Sequence, residues 1–398
     1  MLASLALIFL VGMTMGAVCN KLKLPGIIGM LVTGIVLGPY VLDLLDPAIL
    51  GISAELRKIA LIIILLKAGL SLNLSDLKKV GRPAMLMSFV PATFEIVGYV
   101  IFAPILLKVT TVEAAVMGAV LGAVSPAVVV PRMVNLIEKG YGTKKAIPQM
   151  ILAGASCDDI FVIVLFTTFL GMAQGDNVQI MSFLNIPVSI ILGILLGIAA
   201  GFGLYFIFES AYKCGSYIRN TSKIIIILAV SFLLVSIENW LENKIALSGL
   251  LAVVSMACVL KIKSTPFVSE RLSAKFGKIW IAAEVILFVL VGAAVDIRYT
   301  LEAGIMALVM ILTALVFRAI GVFICTLGTG LNAKERIFCI IAYLPKATVQ
   351  AAIGSVPLAA GLSCGKIILS VAVMAIIITA PLGAFGIDAS YKKFLERE

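Results

Sequence analysis

Apolar runs of membrane-spanning length, separated by short polar links, recur along the whole chain. A transmembrane helix takes roughly 20 mostly apolar residues. On that measure the pattern predicts thirteen spans: 2–19, 24–40, 55–72, 83–107, 112–136, 146–173, 181–208, 223–241, 245–262, 278–297, 301–328, 333–360 and 366–388. The first run lacks a basic leading region and a small-residue cleavage site followed by polar sequence, so it reads as a span and not as a signal peptide. The expected fold is an all-α polytopic membrane protein.

Composition sharpens this picture. Apolar residues make up 62% of the chain, charged residues 13%, and the mean hydropathy is +1.18. A soluble domain carries about 25% charged residues. So apolar a chain cannot cover a water-facing surface, which excludes a soluble enzyme, a disordered protein and a nucleic-acid binder. The net charge of +10 has another origin. With the N-terminus outside, 22 of the 31 Lys and Arg fall in cytoplasmic loops and the tail, and six fall outside. That bias is the positive-inside signature. It predicts an odd number of helices, N-out and C-in, with no regulatory domain after the last span. The chain has no histidine, which excludes imidazole catalysis and an imidazole switch. Its seven cysteines stand singly, without the paired spacing of a zinc site or a disulfide framework.

The two halves match at an offset of 223. Leu24-Pro25-Gly26-Ile27-Ile28 faces Leu247-Ser248-Gly249-Leu250-Leu251, Gly69 faces Gly292, and Phe94-Glu95-x-x-Gly98 faces Phe317-Arg318-x-x-Gly321. The offset then slips by four, so that Ser125-Pro126-Ala127 faces Leu344-Pro345-Lys346. Equivalent helices cross in opposite directions, which makes this an inverted repeat with span 181–208 as connector. Inverted repeats belong to transporters and place binding sites near the midplane, at interrupted helices.

Few ionisable groups lie deep in the spans: Lys67, Glu95, Asp158, Asp159, Glu284, Arg318 and Lys346. Each costs about 2.5–3.5 kcal/mol to insert, so each needs a partner or a function. Asp158 and Asp159 are adjacent at midspan. Carboxylates are hard ligands that suit Na+. Removal from water penalises the ionised form of any carboxylate, so protons and cations can compete for one. Pro126 and Pro345 each remove a helix hydrogen bond and clash with the preceding turn. The breaks expose backbone carbonyls and helix N-termini at membrane depth, and Ser125 and Thr348 add hydroxyls there. Glu95 and Arg318 sit at equivalent repeat positions and are expected to pair. Lys346 is placed to offset the negative ends of broken half-helices. Lys67 and Glu284 read as structural.

The runs LGAVSPAVVVP at Leu121–Pro131, SCDDI at Ser156–Ile160 and LPKATVQAAIGS at Leu344–Ser355 resemble the cation:proton antiporter superfamily, most closely the NHA-type sodium/proton exchangers. The resemblance implies an NhaA-like fold with two crossed, interrupted helices. It implies scaffold or dimerisation helices at 1–72 and 223–297, a transport core at 83–173 and 301–388, and a linker at 181–208. Asp159 would be the main ion- and proton-binding carboxylate, with Asp158 beside it. Glu95 would pair with Arg318, and Lys346 would serve the crossover. The better-known bacterial branch has lysine in place of Arg318. Here Glu95 can neutralise the arginine and leave Asp158 free, which leaves the number of protons per cation open.

The expected function is therefore exchange of Na+ or Li+ for H+ by an elevator-type alternating-access mechanism. Asp159 would bind the cation with help from Asp158, Ser125 and opened carbonyls. No cofactor, no enzymatic activity and no nucleic-acid partner are expected. The expected setting is a homodimer among membrane lipids, in a bacterial-type inner membrane. The rivals are a K+/H+ antiporter and a sodium-coupled symporter of an organic anion, which adjacent aspartates would repel. A channel and an intramembrane aspartyl protease are weaker, since the protease needs its two aspartates on separate helices.

Overall fold

The computed structural model describes residues 1–22, 24–71, 81–174, 180–213, 215, 218–241 and 247–397. Lys23, Lys78, Lys79 and Lys244, counted for orientation, lie outside the described residues, as does Cys214. The regular structure of the described residues is helical apart from one isolated bridge between Tyr141 and Arg397. Its helices are α1 Leu2–Lys21, α2 Gly26–Leu37, α3 Pro47–Gly51, α4 Ser53–Ser71, α5 Arg82–Met87, α6 Val90–Leu107, α7 Thr111–Leu121, α8 Pro126–Glu138 and α9 Ile147–Ala173. They continue with α10 Ile180–Lys213, α11 Asn220–Leu241, α12 Gly249–Lys263, α13 Pro266–Ala293, α14 Ile297–Cys325, α15 Ala333–Ala342, α16 Thr348–Gly354, α17 Val356–Ala359 and α18 Gly365–Phe394. Helices occupy every predicted span, and among the described residues nine segments are long and apolar enough to cross a membrane.

Three predicted spans are not continuous. Span 83–107 is interrupted at Ser88–Phe89, just before Pro91. Span 112–136 divides into α7 and α8, and span 333–360 into α15, α16 and α17. Hydropathy averages over such breaks, because an unwound apolar residue scores the same as a helical one. The opposite difference occurs at α13, which starts twelve residues before the predicted 278. Its lead-in carries Glu270, Arg271 and Lys275, which hydropathy discards although they are helix formers.

The chain forms two compact units. One comprises Met1–Arg57, Asn73–Gln174 and Val285–Glu398; the other comprises Lys58–Leu72 and Gly175–Glu284. In the first unit, Ile8, Leu37, Leu45 and Ile49 pack with Val289 and Leu290. A second core gathers Met87, Val129, Met133, Ile151, Phe338 and Ile387 from α5, α8, α9, α15 and α18, with Tyr343 just past α15. The seam between α6 and α14 is reciprocal. A Cβ on Gly98 would stand 3.0 Å from the Phe317 ring, and one on Gly321 would stand 2.8 Å from the Pro91 backbone and 3.3 Å from Phe94. The Phe-x-x-x-Gly motif of each helix thus lodges its aromatic against the other's glycine. In the second unit, α10 packs on α12, and Lys67 lies 5.9 Å from the Trp280 ring centre.

Candidate functional site

Two interrupted helices meet inside the first unit. Helix α7 opens with a capping box, in which Thr110 and Glu113 satisfy each other's backbone N–H. It ends at Leu121, and Gly122–Ser125 run unwound into α8. Pro126 is the first residue of α8, where a missing N–H costs nothing. Helix α15 opens with the same device, built from Asn332 and Glu335. It ends at Ala342, and Leu344–Ala347, including Pro345, run unwound into α16. The two breaks touch through the Ser125 N–H, which donates to the Pro345 carbonyl at 2.8 Å.

The end of α7 leaves carbonyls that carry the negative end of a helix dipole. Three of them are occupied. Lys346 Nζ donates to the Leu121 carbonyl at 2.6 Å, Arg318 Nη1 donates to the Gly122 carbonyl, and Gln350 Nε2 donates to the Ala123 carbonyl at 2.8 Å. Each of these three carbonyls, expected from the sequence to be open, thus carries a side-chain donor. Lys346 stands where the sequence placed it, against the end of a broken half-helix. Its own N–H donates to Thr379 Oγ1 at 2.9 Å.

The same cations hold the carboxylates. Arg318 Nη1 lies 2.8 Å from Glu95 Oε2, and Lys346 Nζ donates to that oxygen as well. Arg318 Nη2 lies 3.1 Å from Asp158 Oδ2, and Arg318 Nε donates to the Tyr343 carbonyl at 2.6 Å. The sequence expectation that Glu95 takes the arginine and frees Asp158 is therefore corrected. A guanidinium offers five donors in a planar fork and can serve both acids at once. Asp158 Oδ2 also accepts the Val124 N–H at 2.8 Å.

Glu95, Asp158, Asp159, Arg318 and Lys346 are all at least 95% buried. Asp158 Oδ1, Asp159 Oδ1, Ser125 Oγ, Thr348 Oγ1 and the Tyr343 hydroxyl are buried without a hydrogen-bond partner. Unpaired buried oxygens are costly, so each of these atoms calls for a partner that the described side chains and backbone do not supply. Lys67 and Glu284 belong to the other unit. Sequence reasoning assigned no chemistry to Gln350, Tyr343 or Thr379. The first two lie in or beside the quoted LPKATVQ motif, so the signal was position within that motif. Thr379 gave none.

A family model described as the transmembrane sodium/hydrogen exchanger matches residues 5–390. The chain is 34% identical over 358 residues to the sodium/hydrogen exchanger 9B2 of Xenopus tropicalis, covering 87% of this chain and 64% of that protein. It is 33% identical over 389 residues to the Homo sapiens sodium/hydrogen exchanger 9B2, covering 94% and 70%. The chain thus spans about two thirds of the length of these relatives. Among solved structures, the sodium proton antiporter MjNhaP1 from Methanocaldococcus jannaschii superposes with a TM-score of 0.84 at 19% identity, covering 99% of this chain and 98% of that one. At that identity the likeness speaks for the fold alone.

Proposed function

The chain belongs to the transmembrane sodium/hydrogen exchanger family, a family of transporters and not of enzymes, and on that premise we propose that it exchanges Na+ or Li+ for H+ at Asp159, with Asp158 beside it. One observation carries this reading. Three buried carboxylates, Glu95, Asp158 and Asp159, face two buried cations, Arg318 and Lys346, and Asp159 makes no ion pair among the described residues. The empty site therefore bears one surplus negative charge. Either one monovalent cation or one proton neutralises it, and an uncompensated charge is expensive to move through an apolar barrier. Exchange follows, because the site changes sides only when it is occupied. The same count favours one proton per cation.

The ligands proposed for the cation are the unpartnered oxygens of Asp159, Asp158 and Ser125, with Thr348 at the start of α16. Arg318, Lys346 and Glu95 hold the breaks and stay charged throughout. In the wider proposal thirteen helices span the membrane, N-out and C-in, as two inverted repeats. The reciprocal Gly98 and Gly321 seam supports that symmetry. Helices within 83–173 and 301–388 would form the moving core of an elevator, and 1–72 and 223–297 the scaffold of a homodimer, joined by 181–208. No cofactor is proposed. The relatives named above come from a frog and from human, and they do not favour the bacterial-type membrane expected from the sequence.

The test is dequenching of a pH dye in proteoliposomes on addition of Na+, Li+ or K+. Na+ and Li+ should move protons, and Asp159→Asn should reduce this to the protein-free background while its melting temperature stays that of the wild type. Wild-type rates in that variant would remove Asp159 from the scheme. A response to K+ alone would favour the K+/H+ alternative, and uptake of a labelled organic acid would favour the symporter.

A further inference from the structure

Gln350 is wholly buried and touches both breaks. Its Oε1 accepts the Ala347 N–H at 2.8 Å, and its Nε2 donates to the Ala123 carbonyl at 2.8 Å. The peptide that joins Ala123 to Val124 has a second partner, since the Val124 N–H donates to Asp158 Oδ2 at 2.8 Å. A trans peptide is planar, with its C=O and N–H pointing in opposite directions. One rigid plane is thus held at its oxygen by Gln350 and at its hydrogen by Asp158. Without the amide donor, only the Asp158 contact holds the plane, and it can rotate more easily. Rotation would take the N–H away from Asp158 and turn a carbonyl toward the carboxylates.

We propose that Gln350 is a positioning residue for cation binding, which fixes the Ala123–Val124 peptide so that Asp158 Oδ2 stays occupied and Oδ1 stays open to the ion. This rests on the reading of Asp158 and Asp159 as the cation site. A purely structural alternative exists, in which Gln350 only accepts the Ala347 N–H at the start of α16. Two substitutions separate them. Gln350→Glu keeps the volume and the acceptor and replaces the donor; Gln350→Met removes both. The added charge of Gln350→Glu would by itself attract cations and lower the apparent KM, so the sign of the change is informative.

The experiment measures apparent KM for Na+ and maximal rate by pH-dye dequenching in proteoliposomes of the full chain, with melting temperatures of the purified variants. Both variants should raise the apparent KM by up to about tenfold, the upper end of what one neutral hydrogen bond contributes. Maximal rate of Gln350→Met should hold within about twofold, and Gln350→Glu, which buries a further uncompensated charge, should melt below the wild type. A Gln350→Glu KM at or below the wild-type value overturns the proposal, as does loss of maximal rate with KM unchanged. In either case, a wild type that exchanges and an Asp159→Asn variant that does not would leave the function standing. A wild type without Na+-dependent proton movement would overturn both.

Discussion

At the scale of single residues, Arg318 decides the character of the site. It ties Glu95, Asp158, the Gly122 carbonyl and the Tyr343 carbonyl into one buried cluster. Removing one partner of a buried pair leaves an uncompensated charge, at a cost of about 3–5 kcal/mol. Arg318→Met should therefore lower the melting temperature sharply in detergent. Arg318→Lys should fall between it and the wild type, because one ammonium cannot reach four acceptors. Asp158→Asn tests the charge count. The empty site would then be neutral and could return without a proton, so proton coupling should fall and Na+ movement should become sensitive to membrane potential. Retention of tight, potential-insensitive coupling in that variant would contradict the count. The adjacency of Asp158 and Asp159 was plain in the sequence. Their difference in status was not, because it depends on a guanidinium 160 residues away from Asp158 in the chain.

At the scale of elements, the site is a consequence of two helices that stop and restart. Proline marks both breaks, yet the reason they persist is the set of donors that satisfies the opened carbonyls. The α6–α14 seam brings Glu95 and Arg318 together, and it depends on close approach at Gly98. Leucine there would have to displace the Phe317 ring, and overpacking of this kind costs about 1–3 kcal/mol. Gly98→Leu should thus lower both stability and exchange, with Gly98→Ala milder in both. At the opening of α15, Lys145 is joined at 2.9 Å to Glu335 in its first turn. The hydrogen bond to Glu335 raises the Lys145 pKa from its ordinary 10.5. A raised lysine lends stability below its unfolded pKa and loses it as pH climbs through the folded value. The link is thus intact across the neutral range, and Lys145→Ala should leave the pH profile of exchange between pH about 6 and 9 unchanged.

At the scale of the whole molecule, the net charge carried per cycle is the measurable quantity. The proposed exchange of one monovalent cation for one proton moves no net charge. Each elementary charge moved across the membrane is worth about 2.3 kcal/mol per 100 mV. A clamped potential of that size should therefore leave the equilibrium Na+ gradient unchanged in proteoliposomes. A shift by a factor of roughly fifty would report one net charge per cycle and would require a second titrating group.

The sequence by itself determined the membrane setting, the helical class, the two proline-marked breaks and the five charges buried at them, though not the burial of Arg57 or Glu335. These follow from local facts: apolar run length, missing N–H groups and the cost of a charge in lipid. Tertiary structure alone decided which charge meets which. Arg318 takes Asp158 as well as Glu95, Lys346 and Gln350 cover the end of α7, and Asp159 is left over. No local pattern encodes those pairings, because they arise only where helices distant in the chain pack closely enough for side chains to reach across an opened backbone.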